Sequence, residues 1–418
     1  MSSFPTGDSS ARICRTLFVG LIAGLIAATG CLPTARGGED PPVLAADAAK
    51  QITTEESQQF ANELSKAVAQ GDFNTFNRML DWDSIVSAAT MVPNLPELQK
   101  ARDGFKSGVQ QGLKTSGGGL AGQICEIVKK GGEYKVLRAD VSANETVVTF
   151  RLLTPDHQSL NYHRFYLKRN SSKQVVAADL FILLTAEKVS ETLHRSWLPI
   201  AKAALKSSAA RSDEATTDLL SSAERMRQFA EFVQAGKNAD ALNFYYKFPA
   251  SLRSDKTMLI LRFKAAQAIS TDEQLQCIDD MQKFFPEDGA VAFVMVDAYL
   301  HRQQPAEALK CLDRVIGSIG PDAALLARRA NILLAKKDLV EARKVLDEAI
   351  KLEPDLRDPY VVSLDVVLAA KDFYATASLL NLLTDKFGYQ WKDLEQVAPF
   401  AEFVESPQYH KWLESRKK

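Results

Sequence analysis

The stretch AALLARRANILLAKKDLVEARKVLDEAIKLEP, residues 323–354, decides the reading of the C-terminal half of this chain. Ala330, Ala342 and Ala349 are small, and Leu326, Leu333 and Leu346 surround them. Apolar residues recur at steps of three and four on both sides of Lys337-Asp338, the spacing of one helix face. The pattern predicts a helix over 325–336 and a second over 339–352. Pro354 closes the second, because proline lacks an N–H and disfavours helix in the residue before it. The alanines then stand where two paired helices must approach most closely.

Shifting by 34 residues finds the pattern again. Upstream, Ala308, Leu312 and Val315 answer Ala342, Leu346 and Ala349, while Tyr299 answers Leu333 and Gly320-Pro321 answers Pro354. Ala292 and Val296 complete that copy. Downstream stand Tyr360, Leu364, Val367, Leu380 and Leu383, with Lys371-Asp372 repeating Lys337-Asp338. A weaker copy has Met258, Leu261, Ala265, Ile278 and Met281 before Pro286, and 223–249 reads as a degenerate helical pair. Two helices in such a period describe stacked helix–turn–helix units. A helical bundle with coincidental spacing is the competing reading. After Gly388, Trp391, Phe400, Phe403, Tyr409 and Trp412 break the period, as expected of a segment covering the last unit.

The set Leu326, Ala330, Leu333, Ala342, Leu346, Ala349 and Pro354 resembles the tetratricopeptide repeat. Arg329 departs from it, since that family usually has an apolar residue there. The resemblance implies an all-α solenoid over 218–388 that holds a protein or peptide partner. It also implies that the first helix of each unit lines the groove: Phe293, Asp297 and His301, then Ala327, Asn331 and Leu334, then Val361 and Asp365. Such a groove is apolar with acidic points. It lacks the lysine and arginine cluster with which family members hold a partner's C-terminal carboxylate. Apolar anchors with a basic flank fit it better.

The chain has 418 residues, a formal net charge of −1, 46% hydrophobic and 25% charged residues. This is globular composition with room for two to three domains. No basic stripe is present, which argues against a nucleic-acid partner. At the N-terminus Arg12 and Arg15 precede an apolar run over 17–28 and then Thr29-Gly30-Cys31, the layout of an export signal. Ala28-Thr29-Gly30-Cys31 resembles a bacterial lipoprotein processing site, which implies lipidation of Cys31; Ala28 replaces the usual leucine. Ordinary cleavage near Ala35-Arg36-Gly37, and retention of the uncharged stretch 16–35 as an anchor, are the alternatives. All three expect the bulk of the protein outside the cytoplasm, periplasmic or membrane-anchored. The remaining cysteines, Cys125, Cys277 and Cys311, are odd in number and far apart, so single buried thiols are expected.

Between signal and repeats, helices are expected over 54–70, 73–89 and 95–115, then strands over 122–128, 134–141, 146–153, 160–168 and 175–184. Three helices followed by an antiparallel meander, with Gly71-Asp72-Phe73 and Ala178-Asp179-Leu180-Phe181, resemble the nuclear transport factor 2-like or ketosteroid isomerase-like cone. A fourth helix is expected over 187–205. The expected organisation is an export signal or anchor (1–37), a tether (38–52), an α+β cone-like domain with a curved antiparallel sheet (53–205), a linker (206–217), tetratricopeptide-like repeats (218–388) and a capping segment (389–418).

The cone resemblance implies a pocket between sheet and helices. A tight hairpin at 170–173 would set Arg164 opposite Asp179, with Tyr162, Tyr166 and Phe181 on the same face; a one-residue slip would bring His163 there instead. Either pair could orient a base or bind an anion, or be an ordinary cross-strand charge pair. No phosphate loop, nucleophile elbow, metal-ligand spacing or cofactor motif is present, and the five histidines are scattered. The sequence therefore expects an envelope-associated scaffold. The alternative is a small-molecule-binding or isomerase/hydrolase-type enzyme using the cone pocket. A deep pocket where Asp179 meets a tyrosine would favour the enzyme, and a filled cone the scaffold.

Overall fold

The computed structural model describes residues 51–91, 98–115, 117–207, 225–226 and 228–416, in two compact units, 1–286 and 287–418. The first unit opens with five helices: α1 (Thr54–Ala69), α2 (Phe73–Arg78), α3 (Trp82–Ala89), α4 (Gln99–Thr115) and α5 (Gly119–Lys129). An open antiparallel sheet follows in the order β1 (Glu133–Val141), β2 (Thr146–Leu153), β3 (Leu160–Arg169), β4 (Val175–Ile182) and β5 (Glu187–Lys188). Helix α6 (Val189–Ser207) leaves the sheet.

Thr53 starts α1 through a capping box. Its hydroxyl accepts from the Glu56 N–H at 3.1 Å, and the Glu56 carboxylate accepts from the Thr53 N–H at 2.9 Å. The single helix expected over 73–89 is two helices. Asp81 caps α3, and the chain between α2 and α3 bridges to β4, where Ala177 donates to the Met79 carbonyl at 2.8 Å and Asp81 donates to the Ala177 carbonyl at 2.8 Å. The strand expected over 122–128 is the helix α5. Its buried residues are Leu120, Ala121, Ile124 and Cys125, a spacing of three and four that a short apolar run does not separate from a strand. Gly118 turns the chain into α5 with φ of 84°, and a Cβ there would lie 2.4 Å from the Phe73 ring.

Helices and sheet close over one apolar core. Phe165 meets Phe60 and Phe76 at 5.9 Å and Phe150 at 5.5 Å, and the fully buried Trp197 meets Phe105 at 5.6 Å. Truncating one such phenylalanine costs about 3–5 kcal/mol. The unit continues through α7 (228–234), α8 (Asn238–Tyr245), α9 (Ala250–Arg253), α10 (Lys256–Ala266) and α11 (Thr271–Phe284). Thr257 of α10 donates to Glu187 at 3.1 Å, and the Glu187 carboxylate also pairs with Arg195 of α6, so this helix is fastened to the end of the sheet.

The second unit is helical: α12 (Gly289–His301), α13 (Pro305–Ile319), α14 (Ala323–Ala335), α15 (Leu339–Leu352), α16 (Asp358–Ala369), α17 (Phe373–Phe387), α18 (Ala401–Val404) and α19 (Pro407–Ser415). Successive helices pack as neighbours from α12 to α17, and α14 also packs on α16. The turn within each pair is the same object three times. Gln303, Lys337 and Lys371 are left-handed, with φ of 56°, 63° and 57°. The residue after each donates back to Tyr299, Leu333 or Val367 at 2.9 Å. Ala308, Ala330, Ala342 and Ala349 are fully buried. Beyond α17, Phe400, Phe403, Tyr409 and Trp412 join one cluster with Leu364, Leu380 and Leu383.

Candidate functional site

The polar residues of β3 and β4 come together differently from the tight-hairpin expectation. The 170–174 turn is one residue longer, held by Asn170 Oδ1 accepting from Ser172 and Gln174 N–H at 3.0 and 2.9 Å. A bulge follows between Tyr166 and Leu167. Together these move the register by two, so Tyr166, not Arg164, faces Asp179, and Arg164 faces Phe181. Parity is kept, and Tyr162, Arg164, Tyr166 and Asp179 share a face. That face is turned from the α1–α5 layer, because Phe165, Leu167, Leu180 and Ile182 pack against that layer.

Asp179 is committed to structure. Its Oδ1 accepts from the N–H groups of Leu180 at 2.8 Å and Ser190 at 3.2 Å, and its Oδ2 accepts from the Ser190 hydroxyl. It thus fastens the first turn of α6. Burial pushes its carboxyl up, against the Ser190 and Leu180 hydrogen bonds and Lys188, which hold it down. Lys188 lies 4.5 Å from the Tyr166 ring centroid, and burial raises the Tyr166 phenol.

His163 is wholly buried on the helix side. Asn161 Oδ1 accepts from the N–H of Tyr162 at 2.8 Å and of Leu184 at 3.1 Å, so its amide nitrogen faces His163 Nε2 at 3.1 Å. Nε2 must therefore accept, which leaves the proton on Nδ1, directed at Tyr134 Oη 3.0 Å away. Burial pushes the imidazole down to about 3. The side chain is neutral at ordinary pH with both nitrogens occupied. Between α2, α3, α4, α5 and α6 remains a cavity of about 30 Å3, walled by Leu80, Trp82, Val109, Leu113, Leu120 and Leu193 among others, room for about one water.

The second candidate surface lies on α12, α14 and α16. Phe293 and Ala327 are buried, Asp297, Leu334 and Val361 are half-buried, and Asn331 and Asp365 are exposed. His301 ends α12, and its side chain falls outside the described residues, as does Cys31. Sequence reasoning missed Arg328. Its guanidinium pairs with Asp297 and lies 5.6 Å from the Phe293 ring centroid, joining α12 to α14 across this surface. The signal was available, since 328 is one helical turn before 331, the repeat equivalent of 297. Asp365 has no ion pair or hydrogen bond among the described residues. Solvent reaches it on one side and protein crowds it on the others, and that crowding pushes its carboxyl up to about 6.

A further cluster escaped the sequence entirely. Arg262, buried on α10, donates to Glu273 at 3.0 Å, Asp280 at 2.5 Å and the Tyr246 hydroxyl at 3.0 Å, and stands 5.0 Å from the Tyr245 ring. It locks α8, α10 and α11 together. Cys125, Cys277 and Cys311 are free and buried; burial pushes the last two thiols up to about 12 and about 11. They are not thiolates at neutral pH. Among the described residues no His, Cys, Asp and Glu group is arranged to hold a metal, and no helix is long and apolar enough to cross a membrane. No protein-family model matches this chain, and a comparison with curated proteins finds no match.

Proposed function

We propose that this protein is an exported, envelope-associated scaffold whose C-terminal helices form a tetratricopeptide-type solenoid holding a protein or peptide partner. The observation that carries the reading is the identical left-handed turn at Gln303, Lys337 and Lys371. The same two-bond cap ends α1 at Gly71 and α7 at Gly236, so it is its recurrence at an even spacing through the C-terminal unit, and not the cap itself, that a coincidental bundle does not supply. The groove is the face of α12, α14 and α16 that carries Asp297, Asn331 and Asp365. The N-terminal arginines, apolar run and Cys31 supply the reason to place it outside the cytoplasm, by lipid, anchor or cleavage.

The sheet domain acts in this reading as a cone-like mount. The cavity described among its helices is small and apolar, Asp179 is spent on α6, and His163 is sealed. No observation therefore favours the enzyme alternative. The test is photo-crosslinking in cells from a benzoylphenylalanine at Asn331, compared with one at Glu348 on the opposite helix of the pair. Discrete adducts in the membrane fraction from position 331, absent from 348, are expected. The same adducts from both positions, or none from 331, would overturn the groove.

A further inference from the structure

The sheet face turned from the α1–α5 layer gathers arginines around one hydroxyl. Thr149 stands on β2, with Arg138 opposite it on β1 and Arg164 opposite it on β3. Residues directly opposite share a face. Strands lie about 4.8 Å apart, so the two arginines flank Thr149 across about 10 Å. Arg151, two residues along β2, is on the same face. Thr149 and Arg151 are wholly buried, whereas Arg138 and Arg164 are half-buried. Two carboxylates on this face answer the three guanidinium groups. Glu133 takes Arg151 at 2.7 Å and Asp140 takes Arg138 at 2.8 Å. Both acids are more exposed than the arginines they hold, 36% against 0% and 51% against 34%. Arg164 has no ion pair among the described residues, and its Nε is buried without a hydrogen-bond partner. The buried Thr149 hydroxyl also has none. Buried donors without an acceptor are costly, and here two of them are neighbours in register.

We propose that this patch binds a phosphate group, with Arg164 and the Thr149 hydroxyl as donors and Arg138 and Arg151 as flanking cations. One guanidinium already satisfies both oxygens of a carboxylate. Guanidinium groups from three strands and a hydroxyl match instead the three acceptor oxygens and the greater charge of a phosphate. The ligand enters between Arg138 and Arg164, the two that solvent reaches. Thr149, a short side chain between two long ones, is the floor. Asp140 and Glu133 are exposed enough to turn outward as the phosphate takes their place. Asp179, one row on, keeps its bonds to Leu180 and Ser190 and takes no part. The site belongs to the sheet domain and does not rest on the groove.

The test titrates inorganic phosphate into the full-length protein in detergent at fixed ionic strength, with sodium chloride as the matched control. Calorimetry follows binding, and a thermal melt follows stability. A second arm floats the protein with phosphatidylcholine vesicles, with and without phosphatidic acid. Saturable phosphate binding with a Kd below about 1 mM is expected. Arg164→Gln should weaken it at least tenfold, and Arg164→Lys less, because the charge is kept and only the fork is lost. Thr149→Val separates binding from folding. It removes a buried hydroxyl without a partner, so the melting point without phosphate should hold or rise while the rise caused by phosphate shrinks. Phosphate binding assigns a soluble phosphate. Flotation that needs phosphatidic acid, without phosphate binding, assigns a lipid headgroup. Binding that Arg164→Gln leaves unchanged, or no response to either probe, overturns the site and leaves the groove untouched.

Discussion

Burial of His163 makes the sheet domain sensitive to acid well above the pH at which ordinary exposed carboxylates titrate. The folded state holds the imidazole neutral down to about pH 3, because burial opposes its charge. The unfolded chain takes the proton near the ordinary value of about 6.5. The stabilisation is therefore complete above pH 6.5 and is lost progressively as the pH falls, until the folded state also protonates. Each unit of separation is worth about 1.4 kcal/mol, so about 2 kcal/mol should be gone at pH 5. The perturbation is His163→Phe. It leaves the Asn161 amide and the Tyr134 hydroxyl without their partner, so it should destabilise by about 1–3 kcal/mol at pH 8. At pH 5 that gap should have narrowed by about 2 kcal/mol, since the variant has no imidazole to protonate on unfolding. The raised carboxyl of Asp179 works in the opposite direction, but it is common to both proteins and cancels in the difference. Urea unfolding followed by tryptophan fluorescence at pH 8, 6.5 and 5 measures the gap, because Trp82 and Trp197 belong to the sheet domain. A gap constant from pH 8 to 5 would show that the imidazole is not held neutral, and would refute both its burial and its tautomer.

Three further perturbations follow from the packing. Lys337→Gly should raise the melting point of the C-terminal unit, by about 0.5–1 kcal/mol at the transition, because a lysine with φ of 63° carries a left-handed penalty that glycine lacks, partly offset by unfolded-state entropy; calorimetry decides. Arg262→Met should cost about 1–3 kcal/mol by removing the hydrogen bonds to Glu273 and Asp280, both partly open to solvent, and adding Glu273→Gln and Asp280→Asn should recover most of the loss in a thermal melt. Asp179→Ala should loosen the start of α6 at a cost of about 1–2 kcal/mol, with faster amide exchange at Ser190 and no change in the crosslinks made from Asn331; a loss of those adducts without loss of fold would return Asp179 to the functional residues.

The helices of the C-terminal unit were legible because their signal is redundant. Alanines at close-contact positions, Lys-Asp turns and terminal prolines all recur together, and the helix expected over 339–352 is the one observed, Leu339–Leu352. The sheet was legible as a set of strands but not in register. One extra turn residue, held by the Asn170 side chain, and one bulge leave no mark in periodicity. Either alone would have exchanged the two faces; together they restore the face and move each partner by two. The face itself could have been read from β3. Phe165 and Leu167 alternate with Arg164, Tyr166 and Lys168, so the polar set had to turn away from the α1–α5 layer.

Charge partners were the least legible feature, and the reason is geometric. Asp297 and Arg328 are 31 residues apart in the chain, a separation with no meaning on a single helix. It becomes readable only after the repeat is known, as one period minus one helical turn. The same arithmetic places residue 362 across from Asn331, and that residue is a buried valine. The pairing device is therefore used once along this surface and is not continued to the third unit. Asp365 is left at the end of the row, exposed and without a cation of its own among the described residues. An ion pair at 297 and 328 holds two helices in place whatever else binds, whereas an unmatched carboxylate at 365 stabilises nothing within the chain. The protein that crowds it instead pushes its carboxyl up to about 6, so this end of the surface loses its charge as the pH falls through that value.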